Sequence, residues 1–261
     1  MHINIDKHAY CNKLLSVHPM EKFLFAIITL LLCVILNSPA VSITVFVLNS
    51  LILIYKSGIK ADLYLKFMLI PLYFLLIGTL TIAFNFITPE MKAVFSFHIA
   101  DFIIGITPGS FIQAQNVFLK ALASVSCLYF LTLTTPLIDV ISVLKRFKLP
   151  ELFFELMGLV YRLIFILLET ADMIYNSQNS RAGYSGVKNT FKSLGYLASN
   201  LFVISFNRAN QLFTALESRG YTGSINVLEN EHVFSFKNIF LIILTEAFLL
   251  ILYITLKYVL E

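Results

Sequence analysis

Glu151-Leu152-Phe153-Phe154-Glu155-Leu156-Met157-Gly158-Leu159-Val160-Tyr161-Arg162-Leu163-Ile164-Phe165-Ile166-Leu167-Leu168-Glu169 is the stretch whose reading decides the fold. By apolarity alone, residues 152–168 would cross a membrane. The charges argue against it. Glu155, Arg162 and Glu169 recur at seven-residue spacing, which puts them on one stripe of a helix. A spanning helix would hold that stripe in lipid, where ionised side chains are costly. It would also carry the basic segment that follows to the outer side, against the rule that Lys and Arg stay cytoplasmic. The stretch therefore reads as the middle of a long helix packed at the inner membrane surface, running from after Leu149-Pro150 to about Ser180.

The rest of the chain is more apolar still. Hydrophobic residues make up 58% of the 261 residues and charged residues 13%, with a mean hydropathy of +0.84. A soluble domain carries roughly 25% charged residues, so an ordinary cytosolic enzyme, a disordered chain and a secreted domain are excluded. The composition specifies an integral membrane protein. Its net charge of +4 reports orientation in the membrane and is no sign of nucleic-acid binding. Cys11, Cys33 and Cys127 are far apart and in no ligand spacing, so they read as three free thiols.

Runs of about 20 apolar residues mark spans. Phe23 to Leu36 and Val41 to Tyr55 flank the turn signal Asn37-Ser38-Pro39 and form a helical hairpin. Lys22 at one end, and Lys56 and Lys60 at the other, place both ends in the cytoplasm and the turn outside. Because a second apolar run follows at once, the first is read as a span and not as a cleaved signal peptide. The third span is Phe67 to Ile87, with Pro71 near its start. Residues 88–111 hold one basic residue, Lys92, and read as the outer side. Within them Phe95 to Ile106 is apolar but too short to span, leaving a re-entrant or a surface-lying piece as alternatives. The fourth span runs from Ile112 to Thr134 and includes Lys120, placed near the outer end or against protein. The last runs from Ile239 to Ile254 and contains Glu246, an intramembrane carboxylate. Such a group marks a candidate functional site, and a hydrogen bond to a neighbouring helix or subunit is its simpler role. The chain thus reads as an all-α integral membrane protein with five spans, six being the alternative count, and an outer C-terminus.

Residues 136–237 carry ten of the 19 basic residues and still abound in apolar ones. They divide into three helices of a cytoplasmic domain, between a membrane domain at 1–135 and a C-terminal span at 238–261. The first helix is short and amphipathic: Thr135 can cap it, Pro136 suits its first turn, and Leu137, Ile141 and Leu144 share a face. The second is the long helix above. The third runs from about Thr190 to Ser218, with Gly220 as its stop. The two long helices end alike, in Ser180-Arg181-Ala182-Gly183-Tyr184 and Ser218-Arg219-Gly220-Tyr221. Each ending puts an arginine in the last turn, followed by glycine and tyrosine. Arginine complements the dipole at any helix C-terminus, but a duplicated ending suggests docking onto two similar surfaces. The planar guanidinium can hold a carboxylate by two parallel hydrogen bonds.

These residues resemble the transmembrane (T) component of energy-coupling factor transporters, most closely its cobalt-transport type, CbiQ. The resemblance covers nearly the whole chain: Ile5-Asp6-Lys7-His8-Ala9-Tyr10, His18-Pro19, Lys22, Thr134-Thr135-Pro136, Leu149-Pro150, Tyr161-Arg162 and, most specifically, Ser180-Arg181-Ala182 and Ser218-Arg219-Gly220. Those two triplets match paired Ala-Arg-Gly signatures, with serine in place of alanine in both and alanine in place of glycine in the first. The resemblance implies a non-catalytic membrane subunit of an ATP-driven importer. Two ATP-binding-cassette subunits would dock beneath the coupling helices, one per arginine. Their closure on ATP would reorient a substrate-binding membrane (S) component, aided in cobalt and nickel systems by a small accessory subunit. ATP would sit on the partner subunits, Co2+ or Ni2+ would be the cargo, and this chain would bind no cofactor itself.

The remaining motifs point to no chemistry. Gly183 to Thr190 lacks the adjacent Gly-Lys-Ser/Thr of a phosphate loop, since Val187 and Asn189 interrupt it. His2, His8, His18, His98 and His232 show no metal-ligand pairing, and His98 with Asp101 reads as ordinary loop. Three readings remain beside the cobalt or nickel T component: the same component serving a vitamin-binding subunit, a stand-alone membrane enzyme using Glu246 or the His98 region, and a secondary transporter.

Overall fold

The computed structural model describes residues 9–86, 95–99, 102–147, 150–221 and 234–260. The fold is helical. Helix α1 is Pro19–Leu36 and α2 is Pro39–Leu51. Between them Asn37 takes a left-handed conformation (φ 46°), which asparagine tolerates better than most residues, and stops α1. Pro39 then starts α2 at the position where a missing N–H costs nothing. The expected hairpin forms for these two local reasons. Helix α2 ends in one wide turn, Ile52–Lys56, with Ser57 N–H bonding to Ile52 C=O at 2.9 Å.

Helix α3, Ala61–Ala83, contains Pro71 and lies six residues earlier at its start, and four earlier at its end, than the apolar run suggested. Helix α4 is Pro108–Thr134 and starts four residues before Ile112. Its extra turn comes from a reciprocal cap, in which the Thr107 and Ser110 side chains each accept the other's backbone N–H. The last helix, α8, is Phe236–Leu260. Together these make five helices long and apolar enough to cross a membrane among the described residues. Exposed apolar side chains along them, such as Phe74 and Ile77 on α3 and Ile251 on α8, are what a lipid-facing surface requires.

The apolar piece whose structure the sequence left open, 95–106, is not helical in its described residues. It forms strands β2, Phe95–Ile99, and β3, Phe102–Ile106, antiparallel in the register Phe97↔Ile104. The short strand β1, Asn85–Phe86, pairs with β3 on its other edge. The strands are built from β-favouring Phe and Ile, and β2 and β3 pair their facing backbone groups over five residues each.

The chain divides into two compact units, Met1–Val143 with Glu231–Glu261, and Leu144–Asn230. Unit 1 packs α4 against α1, α2 and α3. One apolar cluster joins Phe25, Leu53, Tyr64, Phe67 and Phe130; a second joins Cys33, Val41, Val45, Cys127 and Leu249. Cys33 and Cys127 are buried small residues there, and all three cysteines are free thiols. The short helix α5, Leu137–Lys145, begins after Pro136, so that proline precedes the helix and does not sit in its first turn.

Unit 2 consists chiefly of two long helices, α6, Glu151–Ser180, and α7, Val187–Ser218. Helix α7 starts three residues before Thr190, because Gly186 (φ 83°) supplies a sharp entry. The pair is antiparallel and tied at both ends. Gln178 Nε2 donates to Ser193 C=O (3.1 Å) at the turn, and Tyr221 Oη donates to Glu155 Oε2 (2.7 Å) at the open end.

Candidate functional site: two arginine caps

Arg181 and Arg219 each sit one residue past the last helical residue, not within the last turn as the sequence suggested. Each is the cap residue, with nearly equal backbone angles: φ −100°, ψ 19° at Arg181 and φ −94°, ψ 8° at Arg219. The hydrogen bonds that close the two helices are also the same. Ala182 N–H reaches Asn179 C=O (3.0 Å) and Gly183 N–H reaches Gln178 C=O (2.9 Å). Likewise Gly220 N–H reaches Glu217 C=O (3.0 Å) and Tyr221 N–H reaches Leu216 C=O (3.0 Å). Two such bonds satisfy carbonyls that a helix end otherwise leaves without partners.

These bonds align the triplets Ser180-Arg181-Ala182 and Ser218-Arg219-Gly220 residue by residue. Ala182, with φ 57°, is the counterpart of Gly220, with φ 70°. Gly183 corresponds in place to Tyr221, so the shared glycine and tyrosine are offset by one residue. Alanine therefore occupies a left-handed position that normally favours glycine, at a cost of about 1–2 kcal/mol. Gly183 is required for another reason. A Cβ there would lie 2.8 Å from both Gln178 C=O and Ser193 Oγ. The serines that stand for alanine are accommodated simply. Ser180 Oγ donates to Asn176 C=O and Ser218 Oγ to Ala215 C=O, so each hydroxyl is satisfied on its own helix.

Both arginines are exposed. Among the described residues neither guanidinium has a hydrogen bond or ion pair, so both forks are free for a partner. The two caps lie at opposite ends of unit 2. Tyr221 is fixed beside Glu155, and 26 residues of α6 separate Glu155 from Arg181. At 1.5 Å per residue this puts the arginines roughly 39 Å apart.

Sequence reasoning missed the residues that brace these caps. At the first, Tyr184 Oη donates to Gln178 Oε1 (2.7 Å), Ser193 Oγ donates to Gly183 C=O (2.7 Å), and the Tyr184 ring lies against Tyr175 (centroids 4.6 Å apart). At the second, the brace is the single bond from Tyr221 to Glu155, which raises the Tyr221 phenol above its ordinary pKa. The recurring tyrosine was the visible signal; its partners carried none.

Glu246 lies apart from this site, inside α8. It is buried, and Thr29 Oγ1 of α1 donates to its Oε1 at 2.6 Å. Elsewhere in unit 1, Asn49 Nδ2 of α2 donates to Ser126 Oγ and Cys127 Sγ of α4, both at 3.1 Å. Lys120 reaches the α1–α2 turn and donates to Asn37 Oδ1 (2.9 Å). Of the stretch Gly183 to Thr190, residues 183–186 lie in the connection from α6 to α7 and residues 187–190 form the first turn of α7. His18 caps α1, its Nδ1 accepting Met20 N–H at 3.0 Å. His2, His8, His232, Asp101 and Lys92 lie outside the described residues, as do the side chains around His98. Among the described residues no group of three or more His, Cys, Asp or Glu could hold a metal ion.

Residues 12–231 match the family model described as cobalt transport protein, CbiQ. The chain belongs to this family. An uncharacterised protein of Methanocaldococcus jannaschii is 35% identical over 96% of this chain and 92% of its own length. The cobalt transport protein CbiQ of Salmonella typhimurium is 29% identical over 85% of this chain and 99% of its own. The energy-coupling factor transporter transmembrane protein EcfT of Staphylococcus aureus is 29% identical over 79% of each chain. This CbiQ-family chain is accordingly a multi-pass membrane component of a transporter family.

Proposed function

We propose that this chain is the transmembrane coupling component of an energy-coupling factor importer, passing ATP-driven movement from two ATPase subunits to a substrate-binding membrane subunit for cobalt or nickel uptake. The observation that carries the reading is the pair of equivalent arginine caps, exposed, unpaired and roughly 39 Å apart. Two copies of one fold presenting the same acidic surface would each meet one arginine. A guanidinium fork on a carboxylate fixes orientation as well as contact. In this reading Arg181 and Arg219 are the docking residues. Ser180, Ala182, Ser218 and Gly220 hold them in place. Neither ATP nor the metal is bound by this chain. Unit 2 and the N-terminus lie in the cytoplasm, supported by the excess of Lys and Arg in 136–237. The transporter family supports a non-catalytic role. The description of the family and of its Salmonella typhimurium relative as cobalt transport proteins supports the cargo class.

The test is affinity purification of the tagged chain from its native membranes with mass spectrometry of what accompanies it. Two ATP-binding-cassette subunits with a metal-capturing membrane protein are expected. ATPases accompanied by a vitamin-binding membrane protein would keep the coupling role and change the cargo. A chain that purifies without any ATPase in mild detergent would overturn the reading.

A further inference from the structure

Unit 1 contains two charged side chains, adjacent in sequence, that are almost fully buried. Glu21 is 2% exposed and Lys22 is 3% exposed, both in the first turn of α1. Charged groups are buried this deeply only when they are well hydrogen-bonded. Each of these grips a different helix end. Lys22 Nζ donates to Leu14 C=O (3.1 Å) and to Thr134 C=O (3.0 Å). Thr134 is the last residue of α4, where the chain leaves for α5 and unit 2. Asn12 supports the same end, its Nδ2 donating to Leu133 C=O (3.2 Å) and Thr134 C=O (3.3 Å). The Glu21 carboxylate faces the other connection. It accepts Ser235 N–H (2.8 Å) and Asn238 Nδ2 (2.9 Å), at the start of α8, where the chain returns from unit 2.

The signs of charge fit the places. A cation lies at the carbonyl end of α4 and an anion at the N–H end of α8, each satisfying backbone groups that the helix end leaves open and each complementing its dipole. Consecutive residues of one helix, α1, therefore hold unit 1 where α4 passes into α5, the helix that leads to unit 2, and where α8 begins after the chain has returned; the start of α1 is itself fixed by the His18 cap. We infer that Glu21 and Lys22 are positioning residues for coupling: they clamp the end of α4, which leads through α5 to unit 2, and the start of α8, which follows the return from it, so that movement of unit 2 is delivered to α1, α4 and α8 together. Without the clamp, α1, α4 and α8 would not receive that movement as one body. The inference rests on the coupling function proposed above.

The experiment uses the complete transporter complex in liposomes and reads three quantities: assembly with the ATPase subunits, ATP hydrolysis, and uptake of radioactive Co2+. Lys22→Met keeps the apolar stem and removes the two hydrogen bonds; Glu21→Leu does the same for the return point. The clamp predicts normal assembly, hydrolysis within about twofold of the original, and uptake per ATP reduced at least tenfold. Lys22→Arg and Glu21→Gln, which retain a donor and an acceptor, should recover most of that ratio. Unchanged uptake per ATP in both Lys22→Met and Glu21→Leu would overturn the inference. So would uptake and hydrolysis falling in proportion, which is what a merely structural loss produces. Should those two variants fail to assemble, Asn238→Leu, which removes one of the two bonds to Glu21 at a half-buried position, decides alone: a ratio of uptake to hydrolysis below that of the unsubstituted complex supports the clamp, and an equal ratio overturns it. Absence of ATPase partners with the unsubstituted chain is a different outcome, one that removes the coupling function itself.

Discussion

The two arginine caps share one backbone design and differ in what holds them. The first is built at a connection: α7 follows within a few residues, and Gln178, Tyr184 and Ser193 enclose Gly183 in a local network. The second is built at the open end of the α6–α7 pair and is secured by Tyr221 reaching across to Glu155. The backbone positions each arginine equally well, while the bracing reflects whether the chain turns back or leaves. This predicts that the arginines are equivalent in docking and that the supports around them are not. The largest effect should come from removing both forks. Arg181→Glu with Arg219→Glu would replace the two proposed charge-assisted contacts by repulsion, at about 1.5–3 kcal/mol per site. Because the sites are far apart, the losses should add. Co-purification of the ATPases should fall at least a hundredfold in the double variant and by a similar, smaller factor in each single one. Intact assembly in the double variant would remove the docking role. A large difference between the singles would break the equivalence.

The next largest effects separate the supports. Gly183→Ala pushes a methyl group to within 2.8 Å of the Gln178 carbonyl and the Ser193 hydroxyl, and the carbonyl belongs to a helix end that cannot move freely. A loss of about 1–3 kcal/mol is expected. Gly220→Ala meets open space and is limited to the left-handed backbone penalty, about 1–2 kcal/mol. Ala182→Gly should go the other way and stabilise the first cap by about 1 kcal/mol, since it relieves that same penalty where alanine now bears it. Thermal unfolding of the purified variants orders the three, and hydrogen exchange of the amides at 182–183 and 220–221 localises the change. If Gly183→Ala and Gly220→Ala cost the same, the enclosure of the first cap is not what sets its need for glycine.

How much of this was legible in the sequence follows from where the information was local. The hairpin turn at Asn37-Ser38-Pro39, the five spans and the two long helices could be read because each rests on apolar length or on one or two residues of turn chemistry. The interrupted stripe Glu155-Arg162-Glu169 was enough to keep α6 out of the list of spans, and α6 runs from Glu151 to Ser180 within unit 2. Residues 95–106 defeated the reading because a short apolar run has the same composition in a strand and in a half-helix. The equivalence of Ala182 with Gly220 was visible in the paired triplets, but a direct match of glycine to glycine and tyrosine to tyrosine competed with it. Only the hydrogen bonds to Gln178, Asn179, Leu216 and Glu217 set the register. The buried pair Glu21 and Lys22 was hidden for a different reason. Lys22 was noticed as a charge before a span, but its partners, Thr134 and Leu14, are backbone carbonyls, and those of Glu21 lie over 200 residues away in sequence.

The smallest expected effect tests the brace that distinguishes the second cap. Tyr221→Phe removes the hydroxyl that reaches Glu155 and leaves the ring and the closing backbone bonds in place. Hydrogen exchange should quicken at 219–221 and remain unchanged at 181–184, with docking retained. The same brace has a pH signature. The Tyr221 phenol is raised in pKa first by its hydrogen bond to the Glu155 carboxylate. A raised acid donates this bond only while protonated. Its contribution is therefore fully present below the ordinary tyrosine value of about 10 and is lost as pH rises through the higher folded value. Exchange at 219–221 should stay constant, after correction for the intrinsic rate, up to about pH 10 and quicken above it, a step that Tyr221→Phe abolishes. Should the step persist in Tyr221→Phe, the second cap is held by its backbone bonds alone, and the difference in bracing between the two ends loses its energetic meaning.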